Sequence, residues 1–77
     1  MNVSTDLPRI IRMRDLMDLT SLKRSTIYLK LKTDKSFPKP ISLSDSNSPG
    51  APIGFLLSEV IAWIESRIAK REKTKNQ

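Results

Sequence analysis

The sequence contains neither cysteine nor histidine among its 77 residues, and this absence restricts how the chain can be stabilised. Without those side chains, no disulfide and no thiolate or imidazole metal site can supplement the core. A chain of this length buries only about 60% of the surface that it exposes when unfolded. We therefore expect a single small domain whose stability depends on one hydrophobic core.

The same composition argues against catalysis. Triads that need histidine and nucleophiles that need a thiol are excluded, and the eight carboxylates are spread through the chain. The two glycines, Gly50 and Gly54, cannot form a glycine-rich phosphate loop. We therefore expect that the protein is not an enzyme, and that it uses no cofactor, no metal and no small-molecule ligand.

Positive charge is concentrated in two segments of the chain. Residues 1–22 are neutral overall, whereas residues 23–39 carry six cations against Asp34 alone, a balance of +5. Residues 40–66 have a balance of −3, and residues 67–77 return to +4. Such blocks are typical of a surface that meets a polyanion. Charge alone leaves nucleic acid, a membrane surface and an acidic protein open as partners.

A membrane role is disfavoured by the hydropathy pattern. No segment approaches the roughly 20 apolar residues that span a bilayer. Residues 1–6 have neither the positive start nor the apolar run of a signal peptide. We therefore expect a cytoplasmic, nucleoid-associated bacterial protein that has no membrane contact.

Apolar spacing predicts a short strand followed by two helices. Residues 9–12 include adjacent β-branched side chains and predict the strand. Residues 13–19 place apolar side chains at i, i+3 and i+4, which predicts a helix of about two turns. Residues 23–32 predict the second helix, with Ile27 and Leu31 facing the core. Three side chains spaced by four then form an exposed stripe on this helix: Arg24, Tyr28 and Lys32.

The ends of the predicted helices are defined by polar side chains. Lys23 cannot cap the second helix, so we expect Thr20 or Ser21 to supply the capping oxygen. Ser58 is suited to capping a third helix that continues to about residue 71, with Glu59 near its positive end. Trp63 lies beside the apolar face of that helix, and we predict that it packs in the core.

The segment between the second and third helices predicts a β-hairpin. Residues 41–43 alternate apolar and polar side chains, residues 44–52 have turn chemistry throughout, and residues 53–56 form the return strand. The full order predicts a winged helix-turn-helix: a mainly α fold with a small β-hairpin, three helices and short strands. We expect a flexible arm at residues 1–8, the domain at 9–71 and a frayed basic tail at 72–77.

The second helix of a helix-turn-helix presents its N-terminal residues to base edges in the major groove. Arginine there can pair with guanine through two hydrogen bonds, hydroxyls can bond a base or a phosphate, and lysines can neutralise phosphates. The candidate DNA-binding residues are Lys23, Arg24, Ser25, Thr26, Tyr28, Lys32 and Lys39. Two alternatives stay open: the cations form only a solvated helix face, and the Tyr28 ring only covers the edge of the core.

Three parts of the sequence together resemble a known family. They are R-S-T-I-Y at 24–28, F-P-K-P at 37–40 and E-V-I-A-W-I at 59–64. In this order and spacing they resemble the AlpA-type prophage regulators, small winged-helix proteins related to phage excisionases and more distantly to MerR-type DNA-binding domains. The resemblance covers about residues 9–71. It implies sequence-specific DNA binding, with residues 24–28 in the recognition helix.

The sequence departs from the family pattern at several positions. The family usually has glycine at the position of Ser21, serine at that of Lys23 and tryptophan at that of Phe55. Its wing generally carries an arginine after a glycine, whereas residues 44–54 contain no basic side chain. We therefore expect the wing to contribute little affinity.

The leading hypothesis is a sequence-specific regulator of a prophage or mobile element that binds double-stranded DNA. A role in transcription and a role in excision use the same helix, so the motif does not separate them. The alternative is a protein-interaction module whose basic helix binds an acidic partner such as an integrase or polymerase subunit. The small size of the domain also predicts a second copy or a partner protein on adjacent DNA.

Overall fold

The fold is mostly helical and includes a small antiparallel sheet. The computed structural model describes residues 8–46 and 49–75, with residues 73–75 described by their backbone only. Its elements are β1 (Ile10–Ile11), α1 (Met13–Thr20), α2 (Arg24–Thr33), β2 (Ile41–Ser42), β3 (Ile53–Leu56) and α3 (Leu57–Lys75). This architecture confirms the predicted winged-helix class. The division into arm, domain and tail stays a prediction, because residues 1–7 and 76–77 lie outside the described residues.

The sheet joins the N-terminal strand to the predicted hairpin. Its strand order is β1-β3-β2, and both neighbours of β3 run antiparallel to it. Ile11 lies opposite Phe55, and Ile41 lies opposite Gly54. The sequence predicted the pairing of β2 with β3 but gave no partner for β1. Because β3 is central, it joins the segment before α1 to the hairpin of β2 and β3, residues 41–56, which we call the wing.

Side chains from all three helices and from the sheet form one core. The buried members are Ile11, Met13, Leu16, Ile27, Phe37, Phe55, Val60 and Trp63. Among the described residues, no charged or polar side chain is buried. The Phe37 and Trp63 rings meet edge to face with their centroids 4.9 Å apart, a favoured aromatic geometry. The prediction that Trp63 packs in the core is confirmed.

The turn between α1 and α2 is formed by the backbone of Ser21 and the hydroxyl of Thr20. Ser21 ends α1 in the left-handed region at φ 61°, and its N–H donates to the Met17 carbonyl at 2.8 Å. The Thr20 hydroxyl donates to the Leu16 carbonyl and accepts from the Leu22 N–H. These hydrogen bonds close α1 and set the direction in which α2 leaves.

The start of α3 differs from the prediction that Ser58 caps it. The helix begins at Leu57, directly after β3, so Ser58 already lies in the first turn. The Leu57 N–H donates to the carbonyl of Arg9 at 2.8 Å. Pairing of β3 with the N-terminal strand therefore places a backbone acceptor at the helix start, a contact that local sequence does not reveal. Among the described residues, no helix has the length and apolarity needed to cross a bilayer.

Candidate nucleic-acid interface

Helix α2 presents a polar stripe to solvent because its opposite face is held in the core. Ile27 is fully buried, and Leu31 packs partly buried against the same cluster. The side chains of Arg24 and Lys32 are exposed, and Tyr28 is 46% exposed. This exposure leaves the Tyr28 side chain accessible from solvent, and its predicted role in binding stays a prediction. The predicted orientation of α2 agrees with the structure.

Three arginines and Tyr28 line one open groove beside α2. The groove has a volume of about 400 Å³ and runs between the start of α1, the start of α2 and the wing. We call it the arginine groove, and its walls are Arg12, Met13, Arg14, Arg24, Tyr28 and residues 50–53. No carboxylate is among these described lining residues, so the groove is strongly positive and suited to an anion.

Arg12 fixes the groove's geometry, whereas its two neighbours remain available. The Arg12 Nε donates to the carbonyl of Ile53 at 3.0 Å, and the Arg12 backbone N–H donates to Asp15 Oδ2 at 3.1 Å. The first contact holds the start of α1 against the wing, and the second closes the first turn of α1. The side chains of Arg14 and Arg24 make no hydrogen bond or ion pair with any described residue. Their guanidinium groups can therefore pair with an external acceptor.

The N-terminus of α2 has no side-chain cap from the described residues. The prediction that Thr20 or Ser21 caps it is wrong, because the Thr20 hydroxyl is used within the preceding turn. Lys23 occupies the N-cap position in an extended conformation, with φ −74° and ψ 157°. The first N–H groups of α2 therefore lie beside the exposed side chains of Lys23, Arg24 and Ser25, where they would favour negative charge. Thr26 is half-buried.

Lys39 does not line the groove that holds Arg24 and Tyr28. It lines a second groove together with Lys35, Phe37 and Trp63, and its Nζ contacts the Lys35 carbonyl at 3.4 Å. None of the residues that line the arginine groove takes part in this second groove. The structure therefore places Arg24 and Tyr28 in one groove and Lys39 in another.

The segment after α2 is ordered by Asp34. Its carboxylate accepts hydrogen bonds from the hydroxyl and backbone N–H of Ser36, at 2.6 and 2.9 Å. These bonds are the main cause of a pKa below the ordinary value for this carboxyl, and Lys30 adds a smaller attraction. The Trp63 Nε1 makes no hydrogen bond with the described residues. The turn directs Phe37 into the core.

Two comparisons place this sequence among known proteins. Residues 9–68 match the family described as prophage CP4-57 regulatory protein (AlpA). The chain belongs to the AlpA family. It is also similar to a protein of Enterobacteria phage P4 named uncharacterized protein ORF88, with 38% identity over 65 residues that cover 84% of this chain and 67% of that protein. No solved structure matches the chain.

Membership in the AlpA family indicates a regulatory role in phage biology. The AlpA family is a family of regulators and not of enzymes. The matched region spans β1, α1, α2, the wing and most of α3, so it includes every residue that lines the arginine groove. Among the described residues, no group of three His, Cys, Asp or Glu side chains is placed to hold a metal ion.

Arg12 and Arg14 are the groove residues that sequence reasoning missed. The charges of residues 1–22 sum to zero, because the aspartates cancel the arginines in the count. The sum therefore hid the fact that Arg12 and Arg14 lie at the start of α1, whereas Asp15 and Asp18 lie further along it. A separate charge count for the start of the predicted helix, which includes Arg12 and Arg14 but not the two aspartates, could have found them. Their proximity to Arg24 is a tertiary contact that such a count does not give.

Proposed function

We propose that this AlpA family protein binds double-stranded DNA sequence-specifically, with α2 in the major groove, and regulates a prophage or mobile element. The observation that carries the proposal is the exposed stripe of Arg24, Tyr28 and Lys32 above the buried Ile27. A recognition helix needs this arrangement, because the core must hold the helix while the outer face reaches base edges.

The positions of the cations around the arginine groove support different roles for different residues: some contact bases and others contact phosphates. In this proposal Arg24, Ser25 and Thr26 contact base edges or the nearest phosphates from the start of α2. Arg14, Lys23 and Lys32 contact phosphates on either side and set the register of the helix on the duplex. The wing adds a wall without a positive charge, since Gly50, Ala51, Pro52 and Ile53 line the groove there. Affinity then depends mainly on α1 and α2.

Selection of bound sites from a random duplex pool, followed by titration of a selected site over a range of salt, tests the proposal. Neutralisation of about five phosphates predicts a slope of log affinity against log salt near −4 to −5. A protein-interaction module would show no enrichment of a site and no saturable duplex binding, and that result would overturn the proposal.

Two alanine variants distinguish base reading from phosphate contact. Arg24→Ala is expected to weaken binding to the selected site by about 1–3 kcal/mol and to relax preference at one base pair. Lys32→Ala is expected to weaken all duplexes similarly and to make the salt slope shallower by about 0.9. Arg9→Ala is the matched control, because Arg9 is an exposed cation outside the arginine groove. An equal loss on every sequence for Arg24→Ala would make Arg24 a phosphate contact instead.

A further inference from the structure

Helix α3 carries an apolar stripe that the core covers only in part. Its core-facing side chains are Val60 and Trp63, which are buried. A second row runs beside them and consists of Leu57, Ile61, Ile64 and Ile68. Ile61 and Ile68 are 43% and 47% exposed, whereas Leu57 and Ile64 are half-buried and pack against the core. The spacing of four, three and four residues is that of a seam between two paired helices.

Neighbouring side chains extend this row into a continuous surface. Leu19, which is 47% exposed, lines a groove with Ile64 and Ile68, and it also lines a second groove with Ile10 and Leu57. We call this surface, formed by Ile10, Leu19 and the four-residue row of α3, the α3 seam. A contiguous exposed apolar patch often marks an interaction site, whereas apolar residues that are exposed singly do not.

Charge is divided between the two ends of the α3 seam. The groove beside Leu57 is lined by Asp15 and Asp18 together with Arg9. The groove beside Ile68 is lined by Arg67 and Arg71. Arg71 forms an exposed ion pair with Glu72 at 3.0 Å, and such surface pairs hold their partners weakly. The charged lining residues therefore sum to −1 at the Leu57 end, which we call the acidic end, and to +2 at the Ile68 end, which we call the basic end.

We propose that the α3 seam binds a second copy of this chain, with the two α3 helices antiparallel. An antiparallel pairing places Leu57 opposite the partner's Ile68, and Ile61 opposite the partner's Ile64. The same symmetry brings the acidic end of each copy to the basic end of the other, as a two-fold interface requires. Self-complementarity in both the apolar row and the charges favours a second copy over an unrelated partner.

The α3 seam and the arginine groove are separate surfaces. None of the residues that line the arginine groove belongs to the seam. A pair formed through α3 would therefore leave both α2 helices exposed. The proposal does not depend on DNA binding, so its test is made without DNA and its failure would leave the proposed function standing.

Sedimentation analysis of the full chain over about a thousandfold range of concentration tests the proposal, because a dimer grows by mass action. The wild-type protein is expected to change from monomer to dimer. Ile68→Lys is expected to weaken dimerisation by about tenfold or more, since both copies lose an apolar contact. Leu29→Lys is the matched control, because Leu29 is an aliphatic residue 59% exposed on α2, outside the seam. A wild-type chain that stays monomeric, or an Ile68→Lys protein that still dimerises, would overturn the proposal.

A charge-reversal pair tests the antiparallel arrangement itself. Asp18→Arg and Arg71→Asp are each expected to weaken self-association, because like charges meet at both ends of the dimer. An equimolar mixture of the two variants is expected to restore association as a heterodimer, in which every end again meets its opposite. Circular dichroism melting of each variant alone verifies that the monomer is folded. Failure of the mixture to associate while both variants are folded would contradict the arrangement.

Discussion

Ser21 bears the conformational cost of the tight turn between α1 and α2. It lies at φ 61° and ψ 24°, a left-handed conformation that costs a non-glycine residue about 1–2 kcal/mol. Ser21→Gly removes this cost but adds backbone entropy to the unfolded chain. We expect a net gain of about 0.5–1 kcal/mol in the free energy of unfolding, measured by thermal or urea denaturation.

Ser21→Ala separates backbone strain from the loss of the hydroxyl. The Ser21 hydroxyl makes no hydrogen bond with the described residues, and alanine keeps the left-handed cost. This control is therefore expected to leave stability nearly unchanged. If alanine stabilised the protein as much as glycine, backbone conformation would not be the cause.

At the scale of one element, the N-terminus of α2 lacks a side-chain cap from the described residues and carries a high local positive charge. Lys23 has the extended backbone of an N-cap residue but offers no oxygen to the first turn. Lys23→Ser supplies that oxygen and is expected to raise the free energy of unfolding by about 1 kcal/mol. It also removes a positive charge beside Arg24, so we expect weaker DNA binding and a salt slope shallower by about 0.9.

Lys23→Ala is the control for this change, since it removes the same charge without adding a cap. The serine variant is expected to be more stable than the alanine variant, while their DNA affinities are similar. Equal thermal stability of the two would show that the first turn of α2 is already satisfied. Unchanged affinity in both would remove Lys23 from the proposed phosphate contacts.

At the scale of the whole molecule, Gly54 allows three strands to pack closely. A Cβ at this position would overlap Ile10 Cγ2 and would lie 3.2 Å from both the Ile11 carbonyl oxygen and Leu43 Cδ1. Gly54→Ala is therefore expected to lower the free energy of unfolding by about 1–3 kcal/mol. Denaturant titration measures this loss.

A double-mutant cycle with Ile10→Ala identifies the source of the strain. Removal of the Ile10 side chain eliminates the closest overlap, so Gly54→Ala is expected to cost less in that background. An identical cost in both backgrounds would assign the strain to the backbone of Ile11 or to Leu43. The cycle is best measured in a protein at low concentration, because Ile10 also belongs to the α3 seam.

Much of the fold was predictable because its signals are local. The apolar period placed α1 and α2 within about one residue of their observed bounds, and it oriented α2 with Ile27 inward and Arg24 outward. Turn residues between 44 and 52 predicted the hairpin. Ser58 was predicted as a cap for the same local reason, and the prediction was wrong because β3 runs straight into α3.

The sequence by itself determined which residues form helices, which face of α2 is apolar and where positive charge is concentrated. These properties depend on side chains within a few positions of one another. Tertiary structure alone decided that β1 pairs with β3, that Arg12 and Arg14 meet Arg24 in one groove, and that the α3 seam is only partly covered by the core. Each of these joins segments that are far apart in sequence, and their proximity follows from how the single core packs rather than from any local pattern.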